Sequence, residues 1–407
     1  MDLAAKKKAG KIKKANSPFF WFLRLCFTPA LYILYRFKFE RKTSKGIKRP
    51  CLILANHQTV IDQFAVGLGF DFGINYIATD SIFRHGLLSW LMVTLTRPIP
   101  ISKGSMDFAV VRNMVSVIKD GGCVGLFASG NRSFYGEEST IMPSIGKLAK
   151  KLQVPLVLVQ VRGGFNTIAR WKVKPCKGKM RALVTKVIQS EELAAKSAEE
   201  ITGIIKKELG YNEFEYNKTA QIKYHGRHKA EYLESVLFYC PACSSMIGLR
   251  SDGNEFFCRD CGAKVKINDT GFFERIEKAG NIPETILEWS HKQLDYIKSF
   301  DFSAWTDKPV FSDTDVTLSK AERARSEELL GKGTIELYAT KLRVCGQEFL
   351  FTEITTAIIG VRKMTIYHGD NVYAVEVPYR TNLMKYMICS YHLRNKTLGI
   401  KEEYYGY

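Results

Sequence analysis

Short apolar runs alternate with helical patterns between residues 50 and 210, and this alternation limits the folds that the chain can adopt. The runs that favour strands are Cys51–Ala55, Asn75–Ala78, Ile99–Ile101, Cys123–Phe127, Pro155–Val161 and Ala182–Ile188. The helical patterns between and after them are Val60–Leu68, Leu87–Leu95, Met106–Ile118, Ser144–Leu152 and Glu191–Leu209. This order predicts an α/β fold with a mostly parallel sheet flanked by helices, in which ligands bind beyond the carboxyl ends of the strands.

A histidine and an aspartate, five residues apart, follow the first predicted strand. His57 comes two residues after Ala55, and Asp62 lies near the start of the next helical pattern. Within one helix this spacing would place the two side chains on different faces, so they can meet only if His57 lies in the loop and Asp62 in the first helical turn. Asp62 could then fix the tautomer of the imidazole, and the helix N-terminus favours its charge. The pair alone also fits a solvated loop histidine beside a helix-start aspartate.

Four blocks of the sequence resemble the glycerolipid acyltransferases of the lysophosphatidic acid type. Asn56-His57 with Asp62 resembles their His-x4-Asp motif, and residues 127–133 (Phe-Ala-Ser-Gly-Asn-Arg-Ser) resemble their Phe-Pro-Glu-Gly-Thr-Arg-Ser block. Residues 99–104 match a block in which an apolar run ends in a basic residue, and residues 154–159 resemble the later Val-Pro-hydrophobic strand. The four blocks stand in family order.

The resemblance implies transfer of a fatty acyl group from acyl-CoA or acyl-ACP to a lysophospholipid hydroxyl. The implied acceptor is 1-acylglycerol-3-phosphate, which would give phosphatidic acid. His57 and Asp62 are the implied catalytic residues, with His57 as the general base. Cationic side chains suit the phosphate of such an acceptor, and a guanidinium can bind two of its oxygens. The implied substrate-binding residues are Asn56, Lys103, Ser129, Gly130, Asn131 and Arg132.

The chain departs from the family pattern in its second and third blocks. Ser129 stands where the family has glutamate, Ala128 replaces proline and Asn131 replaces threonine, while Lys103 replaces the usual arginine. Since that glutamate belongs to the acceptor-binding block, the residues support acyl-transfer chemistry better than they support a particular acceptor. The alternative is a catalytically weak or inactive adaptor that binds lipid or membrane.

Positive charge is concentrated in the first half of the chain. The formal net charge is +19, and residues 1–210 contain 34 Lys and Arg against 14 Asp and Glu. Basic residues surround an aromatic and aliphatic segment at 17–37, which Arg24 and Arg36 interrupt. This pattern predicts a helix or helix pair in the headgroup region of an anionic membrane, at its cytoplasmic face and monotopic. The alternative is a helix packed on the protein's own core.

Two Cys-x-x-Cys pairs indicate a metal site. Cys240, Cys243, Cys258 and Cys261 are arranged as in a zinc ribbon, and four thiolates suit a structural Zn²⁺, although iron accepts the same ligands.

The N-terminal lysine run lacks the apolar core of a signal peptide, which predicts a reducing compartment. Residues 238–267 lack the basic stripe that phosphate contacts need, so nucleic acid is not an expected partner.

The C-terminal quarter shows short strand patterns followed by one helical pattern, Asn382–Leu393. Its strand order resembles a pleckstrin-homology or GRAM-like fold, which predicts a mainly-β domain. The whole chain is therefore expected to contain six segments: a membrane-associating segment at 1–45, the acyltransferase domain at 46–210, a linker at 211–237, the zinc ribbon at 238–267, a helical connector at 268–305 and the β domain at 306–407.

Overall fold

The computed structural model describes residues 12–79, 94, 96–101, 108–277, 280–321, 327–369 and 371–400. The chain divides into two compact units, the first built from residues 1–169 and 176–225 and the second from 170–175 and 226–407. Lys103 and most of the predicted helix Leu87–Leu95 lie outside the described residues.

The first unit is built on a seven-stranded sheet. Its strands are β1 (Lys38–Phe39), β2 (Cys51–Ala55), β3 (Ile74–Thr79), β4 (Ile99–Ile101), β5 (Cys123–Phe127), β6 (Leu156–Arg162) and β7 (Arg181–Ile188). They lie in the order β1-β7-β6-β2-β5-β3-β4, and every neighbouring pair is parallel except β6 with β7. The predicted α/β class with a mostly parallel sheet is therefore confirmed.

Helices pack on both faces of this sheet. They are α1 (Ser17–Tyr35), α2 (Asp62–Gly67), α3 (Phe108–Lys119), α4 (Ser144–Leu152), α5 (Gly164–Thr167), α6 (Ser190–Ala195), α7 (Ala198–Leu209) and α8 (Glu213–Ala220). Successive residues of β2 contribute to opposite cores, because side chains alternate along a strand. Leu52 and Leu54 pack with the residues of α3, α4 and α7, whereas Ile53 packs with α2 and with Leu31 of α1.

The single helix predicted at Glu191–Leu209 is two helices. Ser197 interrupts it by capping α7: its side chain accepts from the Glu200 main-chain N–H, and the Glu200 carboxylate accepts from the Ser197 N–H. This reciprocal capping box makes a helix start more favourable than a continuous helix at this point. The first of the two, α6, begins at Ser190.

The second unit contains two antiparallel sheets. Strands β8 (Leu249–Asp252), β9 (Glu255–Cys258), β10 (Lys264–Ile267) and β11 (Phe273–Glu277) form the first sheet, and α9 (Ile286–Ser299) follows it. The second sheet has seven strands: β12 (Phe311–Ala321), β13 (Glu328–Leu337), β14 (Lys341–Val344), β15 (Gln347–Leu350), β16 (Ile354–Ile359), β17 (Lys363–His368) and β18 (Asn371–Glu376). Helix α10 (Leu383–Leu398) packs on it through buried residues. This arrangement confirms the mainly-β character predicted for the C-terminal domain.

Helix α1 is attached to the first unit along one side and exposed along the other. Arg24 donates to Asp71 at 2.9 Å, Phe27 stacks on Phe64 with ring centroids 4.5 Å apart, and Leu31 is buried. The exposed side is apolar, with Trp21, Phe22, Leu25, Tyr32, Ile33 and Leu34 each 49–75% exposed. By length and composition alone, this 19-residue helix could also cross a membrane.

Two glycines on the packed helix pair α4 and α7 should respond oppositely to alanine. A Cβ on Gly146 would lie 2.1 Å from the Ala198 carbonyl oxygen, whereas a Cβ on Gly203 would meet nothing within 4 Å. We expect Gly146→Ala to destabilise the first unit by about 1–3 kcal/mol through overpacking. Gly203→Ala should stabilise it by about 0.5–1 kcal/mol through helix propensity. Denaturant unfolding of both variants tests this, and equal effects would contradict the described helix contact.

Candidate functional site

The loop between β2 and α2 brings His57 and Asp62 together. Strand β2 ends at Ala55 and α2 begins at Asp62, so the histidine lies in the loop and the aspartate in the first helical turn. His57 Nδ1 is 2.9 Å from Asp62 Oδ2. Because a carboxylate only accepts hydrogen bonds, Nδ1 is the donor, and the neutral ring carries its lone pair on Nε2.

The Asp62 carboxylate also organises the loop around it. Its Oδ2 atom accepts from the main-chain N–H groups of Gln58 at 2.6 Å and Thr59 at 2.7 Å, and Oδ1 accepts from the Thr59 hydroxyl. Asp62 is fully buried, so these donors replace the water that its charge has lost. They hold the carboxylate in one position beneath the imidazole.

Aromatic packing fixes the plane of the imidazole. The His57 ring stacks on Phe127, with centroids 3.9 Å apart and an interplanar angle of 13°, and the Tyr76 ring stacks on Phe127 at 6.2 Å. Only 17% of the His57 side chain is exposed. Burial raises the pKa of Tyr76, and the negative charge of Asp62 raises it further. The imidazole therefore has a fixed orientation and one partly open side.

The loop after β5 runs beside the His57 loop and is hydrogen-bonded to it. Ala128 N–H donates to the Ala55 carbonyl at 3.0 Å, and Ser133 N–H donates to the His57 carbonyl at 2.9 Å. Gly130 turns this loop at φ +72°, a left-handed conformation that glycine adopts without strain. The loops that follow the neighbouring strands β2 and β5 are thus in contact.

The predicted substrate-binding residues of this loop have different surroundings. The Ser129 hydroxyl lies 3.0 Å from the Asn131 carbonyl oxygen and 2.6 Å from Glu138 Oε1. Arg132 is partly buried; burial lowers the pKa of its guanidinium and the charge of Asp62 opposes that effect. Gly130 is exposed. The role of each in substrate binding stays a prediction.

Asn56 is fully buried, and both ends of its amide are bonded to Val161. Its Nδ2 donates to the Val161 carbonyl at 2.8 Å, and its Oδ1 accepts from the Val161 N–H at 2.6 Å. This geometry gives Asn56 a structural role at the end of β2, and its predicted contact with substrate stays a prediction. Lys103 lies outside the described residues.

Glu138 is a site residue that the sequence pattern did not reveal. Its carboxyl accepts from the His57 main-chain N–H at 3.1 Å and from the Gln58 side chain at 3.3 Å, in addition to its contact with Ser129. In the sequence it is the second of two adjacent glutamates, nine residues beyond Ser129. Nothing in that context distinguishes it from a solvated loop acid.

The four cysteines of the Cys-x-x-Cys pairs lie close together in the second unit. Their sulfurs are all within 4.8 Å of one another, with Sγ atoms 3.9 Å apart for Cys240–Cys261 and 3.7 Å apart for Cys243–Cys258. Tetrahedral thiolates with metal–sulfur bonds of about 2.3 Å would have sulfurs about 3.8 Å apart. The four cysteines lie close enough together to bind a metal ion.

Residues 36–162 match the family model described as Acyltransferase. The matched segment lies in the first unit and contains both His57 and Asp62. The crystal structure of the 1-acyl-sn-glycerophosphate (LPA) acyltransferase PlsC from Thermotoga maritima is similar, with 18% sequence identity and a TM-score of 0.41, covering 49% of this chain and 80% of that chain. No curated protein matches the chain. The family match confirms the resemblance drawn from the four sequence blocks.

Replacing Asp62 with asparagine should destabilise the first unit. An amide has only one oxygen, so its nitrogen would face either the main-chain donors of Gln58 and Thr59 or the Thr59 hydroxyl. We expect a loss of about 1–3 kcal/mol, the usual cost of an unpaired buried donor. Asp252→Asn, at an exposed position of β8, is the matched control. Equal unfolding free energies for the two variants would contradict the hydrogen bonding described.

Proposed function

We propose that the protein is an O-acyltransferase that moves a fatty acyl group from acyl-CoA or acyl-ACP to the hydroxyl of a lysophospholipid. The His57–Asp62 pair carries this proposal, because it lies within the matched acyltransferase segment and has the geometry of an oriented general base. The first acceptor to test is 1-acylglycerol-3-phosphate, whose product would be phosphatidic acid.

The proposed reaction is a direct transfer. His57 Nε2 takes the proton of the acceptor hydroxyl as that oxygen attacks the thioester carbonyl carbon. The C–S bond then breaks, and the imidazolium returns the proton to the departing thiolate. Asp62, bonded to Nδ1, stabilises the imidazolium between these steps.

The loop after β5 is the proposed site for the phosphate of the acceptor. Arg132 can offer two parallel donors to phosphate oxygens, and the turn at Gly130 leaves room for close approach of an anion. Lys103 is proposed to add a second positive charge, as the second sequence block implies. Ser129 and Asn131 would shape this phosphate site through the turn that their hydrogen bond closes.

Helix α1 is proposed to lie on the cytoplasmic face of a membrane without crossing it. Its attachment through Arg24, Phe27 and Leu31 holds it along the first unit, so its exposed aromatic side can enter the headgroup region. Lysines and arginines near both ends of the helix favour anionic lipid, each contributing about 1 kcal/mol near such a surface. A surface position would also give access to lipid substrates that reside in the bilayer.

The four-cysteine cluster is proposed to hold one structural Zn²⁺ in a zinc-ribbon arrangement. Ser244 and Gly262, which each follow a cysteine pair, have positive φ. Their main-chain N–H groups donate to the carbonyls of Cys240 and Cys258, the first cysteine of each pair. With four thiolates no coordination position is left for substrate, so the metal would stabilise the second unit and take no part in acyl transfer. The pleckstrin-homology or GRAM-like identity of the β domain and the six-segment boundaries stay predictions.

Acyl transfer on anionic liposomes tests the proposed function. We expect wild-type protein to acylate 1-acylglycerol-3-phosphate from an acyl thioester, and His57→Ala to lose at least about 10²-fold in rate because the general base is gone. His228→Ala is the matched control, since that histidine pairs with Glu231 in the second unit. Equal rates for His57→Ala and wild type would overturn the mechanism. Silence of wild type with other donors and lysophospholipids would favour the adaptor.

Metal analysis of the purified protein tests the zinc proposal. We expect about one zinc per chain in wild type and loss of that metal in Cys258→Ser, because a neutral hydroxyl is a poor zinc ligand. The unfolding temperature of the second unit should fall with the metal content. Cys345→Ser, which changes a cysteine outside the cluster, should keep the zinc. Iron in place of zinc, or metal retained by Cys258→Ser, would contradict the assignment.

A further inference from the structure

The Glu138 carboxyl contacts three residues of the candidate active site, which lie on two loops. Oε2 accepts from the His57 main-chain N–H at 3.1 Å and from Gln58 Nε2 at 3.3 Å, while Oε1 lies 2.6 Å from the Ser129 hydroxyl. Glu138 N–H donates to the Tyr211 carbonyl at 2.8 Å, which anchors the residue to the segment after α7. One side chain therefore connects the loops that follow β2 and β5.

The hydrogen bonds of Ser129 indicate that Glu138 carries a proton. The Ser129 oxygen lies within hydrogen-bond distance of two oxygens, Glu138 Oε1 and the Asn131 carbonyl, yet a hydroxyl has one hydrogen to donate. A protonated Glu138 resolves this, since it donates to Ser129 and Ser129 donates to Asn131. Its other oxygen still accepts the two N–H groups.

The electrostatic surroundings point the same way. Although the residue as a whole is only partly buried, its carboxyl is enclosed, and this burial raises the pKa of Glu138 to about 8, with the nearby charge of Asp62 adding to the effect. The titratable or charged residues on the segments hydrogen-bonded to Glu138 are His57 and Asp62 on the loop after β2, Arg132 on the loop after β5, and Tyr211, whose carbonyl accepts from the Glu138 N–H while its phenol donates to Glu213.

We propose that Glu138 is a positioning residue that acts as a neutral acid, holding the His57 loop and the Ser129–Asn131 turn together for binding of an anionic acceptor. Since it carries no charge, Asp62 stays the negative partner of His57, and the phosphate meets no second carboxylate. Ionisation of Glu138 would place that charge beside the proposed phosphate site and take the Ser129 hydrogen from Asn131. This inference rests on the proposed function for its substrate, whereas its proton is argued from the Ser129 contacts and the burial of the carboxyl.

The same inference gives a physical reason for Ser129. In the block that residues 127–133 resemble, a glutamate stands at position 129, whereas here the carboxyl reaches Ser129 from nine residues further along. A glutamate at 129 beside Glu138 would bring two carboxyls into contact. The serine at position 129 therefore depends on the glutamate at position 138, whose carboxyl it contacts.

Thermal unfolding against pH tests the proton without any substrate. The folded state would retain the Glu138 proton at pH values where an unfolded glutamate has released it, so wild type should lose stability from the ordinary pKa of 4.5 toward about 8. Glutamine reproduces the neutral acid and cannot ionise. We therefore expect the unfolding temperature of Glu138→Gln, relative to that of wild type, to rise by about 5 °C from pH 6 to pH 9. Glu137→Gln, the exposed neighbour, is the matched control and should follow wild type.

Acyl-transfer kinetics test the positioning role. We expect the KM of wild type for 1-acylglycerol-3-phosphate to rise by about threefold or more from pH 7 to pH 9, as the new charge repels the phosphate, and the KM of Glu138→Gln to rise less. Glu138→Ala should lose about tenfold or more in kcat/KM at pH 7, and glutamine should restore most of that loss. Parallel KM profiles in wild type and Glu138→Gln, or parallel unfolding profiles, would overturn the inference. Inactive wild type with diverging unfolding profiles would overturn the proposed function and leave the assigned proton in place.

Discussion

The hydrogen bonds of one buried carboxylate hold the candidate active site together. Asp62 accepts from the His57 ring, from two consecutive main-chain N–H groups and from the Thr59 hydroxyl. A buried charge is tolerated only when donors replace its hydration, so the loop must close around Asp62 before the charge can be buried. The start of α2, the conformation of the loop and the tautomer of His57 are therefore set by the same group.

The architecture of the first unit could be predicted because its signals are local. Strands β2 to β7 correspond to the six predicted apolar runs, whereas the two-residue β1 was not predicted. Burial on both faces explains why β2 and β6 lack polar alternation. The break between α6 and α7 was missed, since the apolar periodicity continues across Ser197 while the capping box depends on only two side chains. The antiparallel pairing of β6 with β7 is a question of chain direction, which the composition of a strand does not record.

The same sequence reasoning could predict only part of the candidate site. His57 and Asp62 are five residues apart, so strand-to-helix geometry alone could place them in contact. Glu138 reaches His57 across 81 residues, and its approach depends on how the segment after β5 folds back. The protonated state that we assign to it arises from three-dimensional burial, which no local pattern of residues encodes. The cysteine cluster was predictable for the opposite reason, because its spacing alone brings four thiols together.

At the end of β2, the side chain of Asn56 takes over the hydrogen bonding that the main chain makes within the strand. Its amide has the same donor and acceptor as a peptide group, so it completes the hydrogen bonding of Val161 as a further residue of β2 would. The main chain of His57 is thereby released from the sheet, and its N–H and carbonyl bind Glu138 and Ser133 instead. Aspartate has the same shape but could not donate to the Val161 carbonyl. The departure of the histidine loop from the sheet thus depends on an amide hydrogen at position 56.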